Sequence, residues 1–165
     1  MLKLTGLLIL IAVGTLAGYM ESHKLSKRVE QLEAFLRFLS AAQTEIRFAA
    51  LPVEEIVQRH CGDVEFLKLC GQKCEGGKSF LTAWEEGVRF GTKGFGFTES
   101  DLSLFYRFGE GFGASDMEGQ LSHCGLYSEL VGENLKNARE DKQQKSKLYQ
   151  VLGVFSGMAV ALLLS

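Results

Sequence analysis

Two long runs without a charged side chain, one near each end, constrain what this chain can fold into more than any other feature. They cover residues 4–20 and 148–165. A helix needs about 20 apolar residues, within a range of about 17–25, to cross the hydrocarbon core of a bilayer. We therefore predict transmembrane helices over residues 1–20 and 148–165, with a helical domain over residues 21–147 between them.

Each run has an alternative interpretation. The first resembles a cleaved signal peptide, because a lysine precedes it and Thr15-Leu16-Ala17 offers small residues at a cleavage site. The second would have to be covered on all sides if it were a buried helix of a globular domain, since Ser156 is its only polar side chain between residues 151 and 164. We expect both runs to be membrane helices, and cleavage of the first stays open.

Both runs also carry two glycines four residues apart, Gly14 with Gly18 and Gly153 with Gly157. Small residues at this spacing let membrane helices approach each other closely. We expect these glycines to form helix-packing surfaces, either between the two runs or between each run and a partner helix.

Basic residues flank the inner ends of both runs. They are Lys24, Lys27 and Arg28 after the first run, and Lys136, Arg139, Lys142, Lys145 and Lys147 before the second. Positively charged residues close to the ends of membrane helices stay in the cytoplasm. This pattern predicts a cytoplasmic domain with both chain termini on the opposite side of the membrane.

The cysteines Cys61, Cys70, Cys74 and Cys124 all lie in the domain. In a reducing cytoplasm they would be free thiols. An even number of cysteines would also suit two disulfides if the domain lay outside the cell. The cysteine count therefore does not decide the compartment.

Apolar residues of the domain recur at helical spacing, and no stretch shows the alternation of a strand. One stripe comprises Leu25, Val29, Leu32, Leu36, Leu39 and Ile46, with Gln43 filling one place, and another comprises Leu121, Cys124, Tyr127, Val131, Leu135 and Ala138. We predict an all-α protein in which the cytoplasmic domain is a bundle of about six helices. The first and last helices are expected to be long and antiparallel.

Breakers and caps divide the chain between these two helices. Pro52 is expected to end the first helix and to begin a second that extends to His60. Further helices are predicted over residues 64–74, over residues 79–90 and from residue 98, with a glycine-rich loop over residues 91–97. Thr98 to Asp101 and Ser115 to Glu118 match capping boxes, which would begin the last two helices.

The remaining motifs do not favour catalysis. Glycines at 109, 111 and 113 lack the preceding strand of a nucleotide-binding loop. The pairs His60-Cys61 and His123-Cys124 lack the usual spacing of zinc ligands. A net charge of -2 is not that of a nucleic-acid-binding protein. We expect no enzyme activity, no cofactor, no metal, no small-molecule substrate and no nucleic-acid partner.

Three acidic residues are candidates for contact with a protein partner. Glu45 lies beside the apolar stripe of the first helix, and Asp116 and Glu118 lie where the last helix is expected to begin. Each also has a structural alternative. Glu45 would instead cap a neighbouring helix or pair with an arginine, and Asp116 and Glu118 would cap their own helix.

Four segments stand out by their order and spacing. They are Thr44-Glu45-Ile46-Arg47-Phe48 followed by Leu51-Pro52, then Ala83-Trp84, then Phe108-Gly109-x-x-x-Gly113-x-Ser115-Asp116-x-x-x-Gln120-x-x-His123, and last Leu152-Gly153 followed by Gly157. Together they resemble the stage III sporulation protein AB family of endospore-forming bacteria, over essentially the whole chain. The departures are Gln43, Ala50-Leu51 in place of a usual glycine-threonine, and the glycine-rich stretch at 91–97. They concern local loop geometry.

This resemblance implies a membrane platform or adaptor subunit of a secretion-like channel between mother cell and forespore. The implied location is the mother-cell membrane around the forespore. The implied partners are the secretion-type ATPase known as stage III sporulation protein AA and the other channel subunits. The domain would be similar to the cytoplasmic domain of the F platform protein of type II secretion. The alternatives are a membrane-tethered helical scaffold unrelated to secretion and a metal-dependent or redox membrane enzyme using the His-Cys pairs.

Overall fold

The computed structural model describes the backbone of residues 2–163. The side chains of residues 2–12, 14–15, 17, 146, 149–150, 153–154 and 156–163 lie outside the described part, as do Met1 and residues 164–165. Six helices account for the ordered elements: α1 (Leu2–Phe48), α2 (Val53–His60), α3 (Glu65–Glu75), α4 (Phe80–Gly91), α5 (Glu99–Gly111) and α6 (Met117–Leu163). No strand occurs over residues 2–163, so the predicted all-α class and the expected number of helices are confirmed.

The terminal membrane helices stay predictions. Within the part of the chain that the structure describes, no helix combines the length and the apolarity needed to cross a membrane. Of the four glycines expected to pack there, Gly14, Gly153 and Gly157 lie outside the residues whose surroundings are described. Gly18 is partly exposed on α1.

The chain divides into two compact units. The first contains Met1–Val29 and Asn137–Ser165, and the second contains Glu30–Lys136. In the first unit the beginning of α1 accompanies the end of α6, so the two helices run antiparallel there. Arg28 Nη1 donates to Asp141 Oδ2 across this pair at 3.3 Å. The predicted domain boundaries at residues 20/21 and 147/148 follow from hydropathy. The two compact units are defined by packing, so they do not test these boundaries.

An aromatic cluster forms the core of the second unit. Its fully or almost fully buried members are Phe35, Phe38, Phe66, Trp84, Phe105, Phe108 and Phe112. Phe35 lies 5.5 Å from Phe66 and 5.0 Å from Phe105 between ring centroids. Because α1 contacts α3 and α5 at once, it buries a wider face than one stripe, and that face includes phenylalanines that the predicted stripe omitted.

The predicted starts of the short helices hold to within one residue, and at α4 and α5 a side-chain cap fixes the start. Thr98 and Asp101 form the expected capping box, in which each side chain accepts from the other's backbone N–H. Ser79 Oγ accepts from the backbone N–H of Thr82 at the start of α4.

The end of α4 differs from the prediction. The helix continues through Gly91, which was assigned to the loop at 91–97. A Cβ at Gly91 would come within 2.6 Å of Phe66 Cα. Glycine there allows α4 to pack directly against the start of α3, so this glycine serves helix contact rather than a loop.

Candidate functional site

A groove of about 460 Å³ lies in the second unit, where two of the four motif segments meet. Its lining comprises Ile46, Ala50, Leu51, Pro52, Val53, Glu54, Gly113, Ser115, Met117 and Gln120. One wall is the turn from α1 into α2. The other is the connection from α5 to α6.

The first wall depends on a tight turn after α1. The backbone N–H groups of Ala49 and Ala50 both donate to the carbonyl oxygen of Glu45, each at 2.9 Å. Ala50 adopts a left-handed conformation with φ of 49°. This conformation reverses the chain so that Pro52 can precede the first turn of α2.

The second wall is held by the buried side chain of Gln120. Its Oε1 accepts from the backbone N–H of Gly113 at 3.0 Å, and its Nε2 donates to the carbonyl oxygen of Ser115 at 3.3 Å. Gly113 has a φ of +91°, and a Cβ there would lie 3.1 Å from Val53 Cγ1. The two walls therefore meet at Gly113, where a side chain would push them apart.

Two further glycines of this motif allow close packing against aromatic rings. A Cβ at Gly109 would lie 2.1 Å from Trp84 Cδ1, and one at Gly111 would lie 2.3 Å from His123 Cε1. The Nε2 of His123 lies 2.9 Å from the carbonyl oxygen of Phe108. The longest motif in the sequence thus folds back on itself and contacts the single tryptophan of another motif.

Glu45 faces α2 and not the groove. Its Oε1 lies 2.8 Å from His60 Nε2, and its side chain is 21% exposed. Among the alternatives that the sequence left open was a pairing with an arginine; in the structure Glu45 is hydrogen-bonded to a histidine instead. A contact between Glu45 and a protein partner stays a prediction.

Asp116 and Glu118 lie exposed at the start of α6, beside the groove. Asp116 Oδ1 accepts from the backbone N–H of Gly119 at 3.0 Å. The helix begins at Met117, so Asp116 occupies the N-cap position that was predicted for Ser115. Capping uses one carboxylate oxygen of Asp116, and Glu118 makes no side-chain hydrogen bond among the described residues.

The groove combines apolar and acidic groups. Met117 is 55% exposed on its edge. Glu54 is the only ionisable side chain in the lining. Such a surface suits an apolar side chain flanked by positive charge. Among the residues that line the groove, no nucleophilic side chain is paired with a base. Met117 and Leu51 were not predicted as site residues, because they line one groove only when its two walls come together.

The histidines and cysteines do not form a joint site. The four cysteines are free thiols, so the disulfide alternative is not realised in this structure. Burial raises the pKa of the Cys124 thiol to about 11 and raises the pKa of Cys70 further. Over the described residues, no group of three or more His, Cys, Asp or Glu side chains is placed to hold a metal ion.

Comparison with known proteins gives a consistent result. The family model described as stage III sporulation protein AB matches residues 3–165. A relative named stage III sporulation protein AB, from Bacillus subtilis (strain 168), is 24% identical over 170 residues, which cover 99% of each chain. No solved structure matches significantly.

Proposed function

Because the chain belongs to the stage III sporulation protein AB family, we propose that it serves sporulation as a non-catalytic membrane platform that docks a cytoplasmic partner. The family's name refers to sporulation and does not name a catalytic activity. The platform role is our proposal, and it takes the groove of the second unit as the docking site.

The observation that carries this proposal is the position of the groove. The stretches at residues 46–54 and 113–120 lie far apart in the sequence, and they form opposite walls of one surface. Exposed Met117 and the acidic groups of Asp116 and Glu118 lie at its edge. Exposed apolar area with a charged rim is the usual composition of a protein-binding site.

The proposed partner is the secretion-type ATPase, stage III sporulation protein AA, with the other subunits of the same channel complex. A basic segment of the ATPase carrying a large apolar side chain would place that side chain against Met117. Its positive charges would face Asp116 and Glu118. Complementary charges of this kind accelerate association and exclude other partners more than they add affinity.

The proposed location is the mother-cell membrane around the forespore, with the domain in the cytoplasm and both termini opposite. The basic residues that flank both apolar runs support this orientation. The free thiols at Cys61, Cys70, Cys74 and Cys124 fit a reducing compartment. Contact with membrane lipid would involve residues 1–20 and 148–165.

Binding of the ATPase by the full chain in detergent micelles tests the docking surface. Replacing Glu118 with lysine should weaken binding by about tenfold or more, because a reversed charge would repel a basic segment. Glu118 forms no side-chain bond among the described residues, so the fold should tolerate this change. The matched control is Glu75→Lys, an exposed reversal at the end of α3, which should bind like the unmodified chain.

Equal binding by Glu118→Lys and the control would show that the proposed surface is wrong. A strain carrying Glu118→Lys should also form fewer heat-resistant spores. A defect in vegetative growth would instead favour the scaffold that is unrelated to secretion.

Topology decides whether the domain can meet a cytoplasmic ATPase at all. Lys78 is exposed at the turn between α3 and α4, so Lys78→Cys provides an accessible thiol. A membrane-impermeant maleimide should label this cysteine in protoplasts only after permeabilisation. Labelling of intact protoplasts beyond the level of the unmodified chain would place the domain outside and end the docking proposal.

A further inference from the structure

A second surface, separate from the groove, surrounds Phe90 near the end of α4. The ring of Phe90 is 48% exposed. Three cations lie around it, with Lys93 Nζ at 5.2 Å, Arg89 Cζ at 5.5 Å and Lys73 Nζ at 5.9 Å from the ring centroid. We name these four residues the α4 patch.

The α4 patch keeps unbalanced positive charge. Lys73 forms an ion pair with Glu86, at 2.5 Å. Arg89 and Lys93 form no ion pair among the described residues, and both are exposed. An exposed aromatic ring surrounded by cations is suited to an acidic surface that also offers apolar area.

The outward face of α6 has the complementary composition. It comprises Gly125, Leu126, Glu129, Gly132 and Glu133, which we name the α6 face. Leu126 is 53% exposed. Glu129 and Glu133 are exposed and form no hydrogen bond or ion pair among the described residues.

The two glycines of the α6 face have no explanation within the fold. Nothing lies within 4 Å of a Cβ built at Gly125 or at Gly132. Glycine inside a helix is less favourable than alanine, and no packing among the described residues requires it at these positions. Missing side chains on an exposed helix leave room for a bulky group from another molecule.

Helix α5 lies between the two surfaces. It is joined to α4 where Trp84 Nε1 donates to the carbonyl oxygen of Phe105, at 2.8 Å. It is joined to α6 where Asn134 Nδ2 donates to Asp101 Oδ1, also at 2.8 Å. A patch and a face separated in this way are available to different molecules.

We propose that the α4 patch of one copy docks on the α6 face of a second copy of this chain. Phe90 would cover a glycine beside Leu126, and Arg89 and Lys93 would face Glu129 and Glu133. The contact is heterologous, since each copy uses one surface and leaves the other free. Its repetition gives a ring or an open chain of copies. The groove takes no part in it, so this proposal does not depend on ATPase docking.

The test compares charge reversals in the full chain, purified in detergent micelles and measured by analytical ultracentrifugation. The patch variant is Arg89→Glu with Lys93→Glu, and the face variant is Glu129→Lys with Glu133→Lys. Each should weaken self-association by about tenfold or more, because like charges would meet. A chain carrying all four substitutions should associate again, since the charges are then exchanged.

Cross-linking provides the second measurement. A carbodiimide joins an amine to a carboxylate only in direct contact. In a mixture of isotopically labelled and unlabelled chains in membranes, Lys93 should be joined to Glu129 or Glu133 of the other isotope.

Each outcome has a defined meaning. Recovery in the fourfold variant supports the contact, because damage to folding would not be repaired by two more reversals. An unmodified chain that stays monomeric at every attainable concentration overturns the proposal, as does a fourfold variant that stays as weak as either double variant. Loss of binding to another protein or to anionic lipid, with the chain monomeric, would assign the α4 patch to that ligand instead.

Discussion

Replacing Gly109 with alanine should destabilise the fold strongly, although the same change usually stabilises a helix. A Cβ at Gly109 would lie 2.1 Å from Trp84 Cδ1 and 2.3 Å from its Nε1. Trp84 is fully buried and donates to the carbonyl oxygen of Phe105. The indole cannot withdraw without losing this hydrogen bond or displacing the aromatic cluster.

The magnitude follows from three contributions. Overpacking a close-packed core costs about 1–3 kcal/mol. Loss of the indole hydrogen bond adds roughly 1 kcal/mol. The higher helix propensity of alanine offsets about 1 kcal/mol. The free energy of unfolding should therefore fall by about 1–3 kcal/mol, which lowers Tm by roughly 5–15 °C for a unit of this size.

Circular dichroism of the full chain in urea measures the effect, and Gly125→Ala is the matched control. Gly125 lies in a helix with open space around it, so alanine there should raise the free energy of unfolding by about 1 kcal/mol. A second comparison places Gly109→Ala in a Trp84→Leu background, where the cost should be largely lost. An equal cost in both backgrounds would refute the contact with the indole as the cause.

Three further changes test other features of the fold, each by its urea midpoint. Ala50→Gly should stabilise by about 1 kcal/mol, because Ala50 has a φ of 49° that glycine adopts without strain; a loss of stability would contradict the strained turn. Asp101→Ala should destabilise by about 2–4 kcal/mol, because it removes the acceptor for the backbone N–H of Thr98 and for Asn134; a change below about 1 kcal/mol would show that the capping box contributes little. Glu86→Gln should reduce the stability that the protein loses at acid pH (the acid limb of its pH profile). The reason is that hydrogen bonds from Lys73 and Lys78 lower the pKa of Glu86 to about 2. A lowered carboxyl pKa contributes stability above its ordinary value of 4.5 that is lost as the pH falls towards 2, so an unchanged acid limb would contradict this contribution.

The sequence by itself determined the helical class and most helix starts. Signals for a helix start lie within four residues of the chain, so they need no knowledge of the rest of the fold. The box at Thr98 and Asp101 and the cap at Ser79 are of this kind. The stripe on α6 was also predicted well, with Cys124 and Val131 fully buried as expected, because one face of that helix packs on the core.

Local signals did not decide the structure where the same residues fit two interpretations. Ser115 and Asp116 both fit an N-cap, and the packing of Gln120 against Gly113 and Ser115 decides in favour of Asp116. Leu81 has helical spacing with Trp84, yet it is exposed because α3 and α5 cover the other side of α4.

Only the tertiary structure decided the candidate site. Glu45 meets His60, and Ile46 meets the loop at Gly113, once the turn at Ala50 reverses the chain. The α4 patch likewise joins a lysine of α3 to residues at the end of α4. The physical reason is one of range: helix caps and periodicity act between near neighbours, whereas a surface for a partner is assembled from residues that only long-range packing brings together.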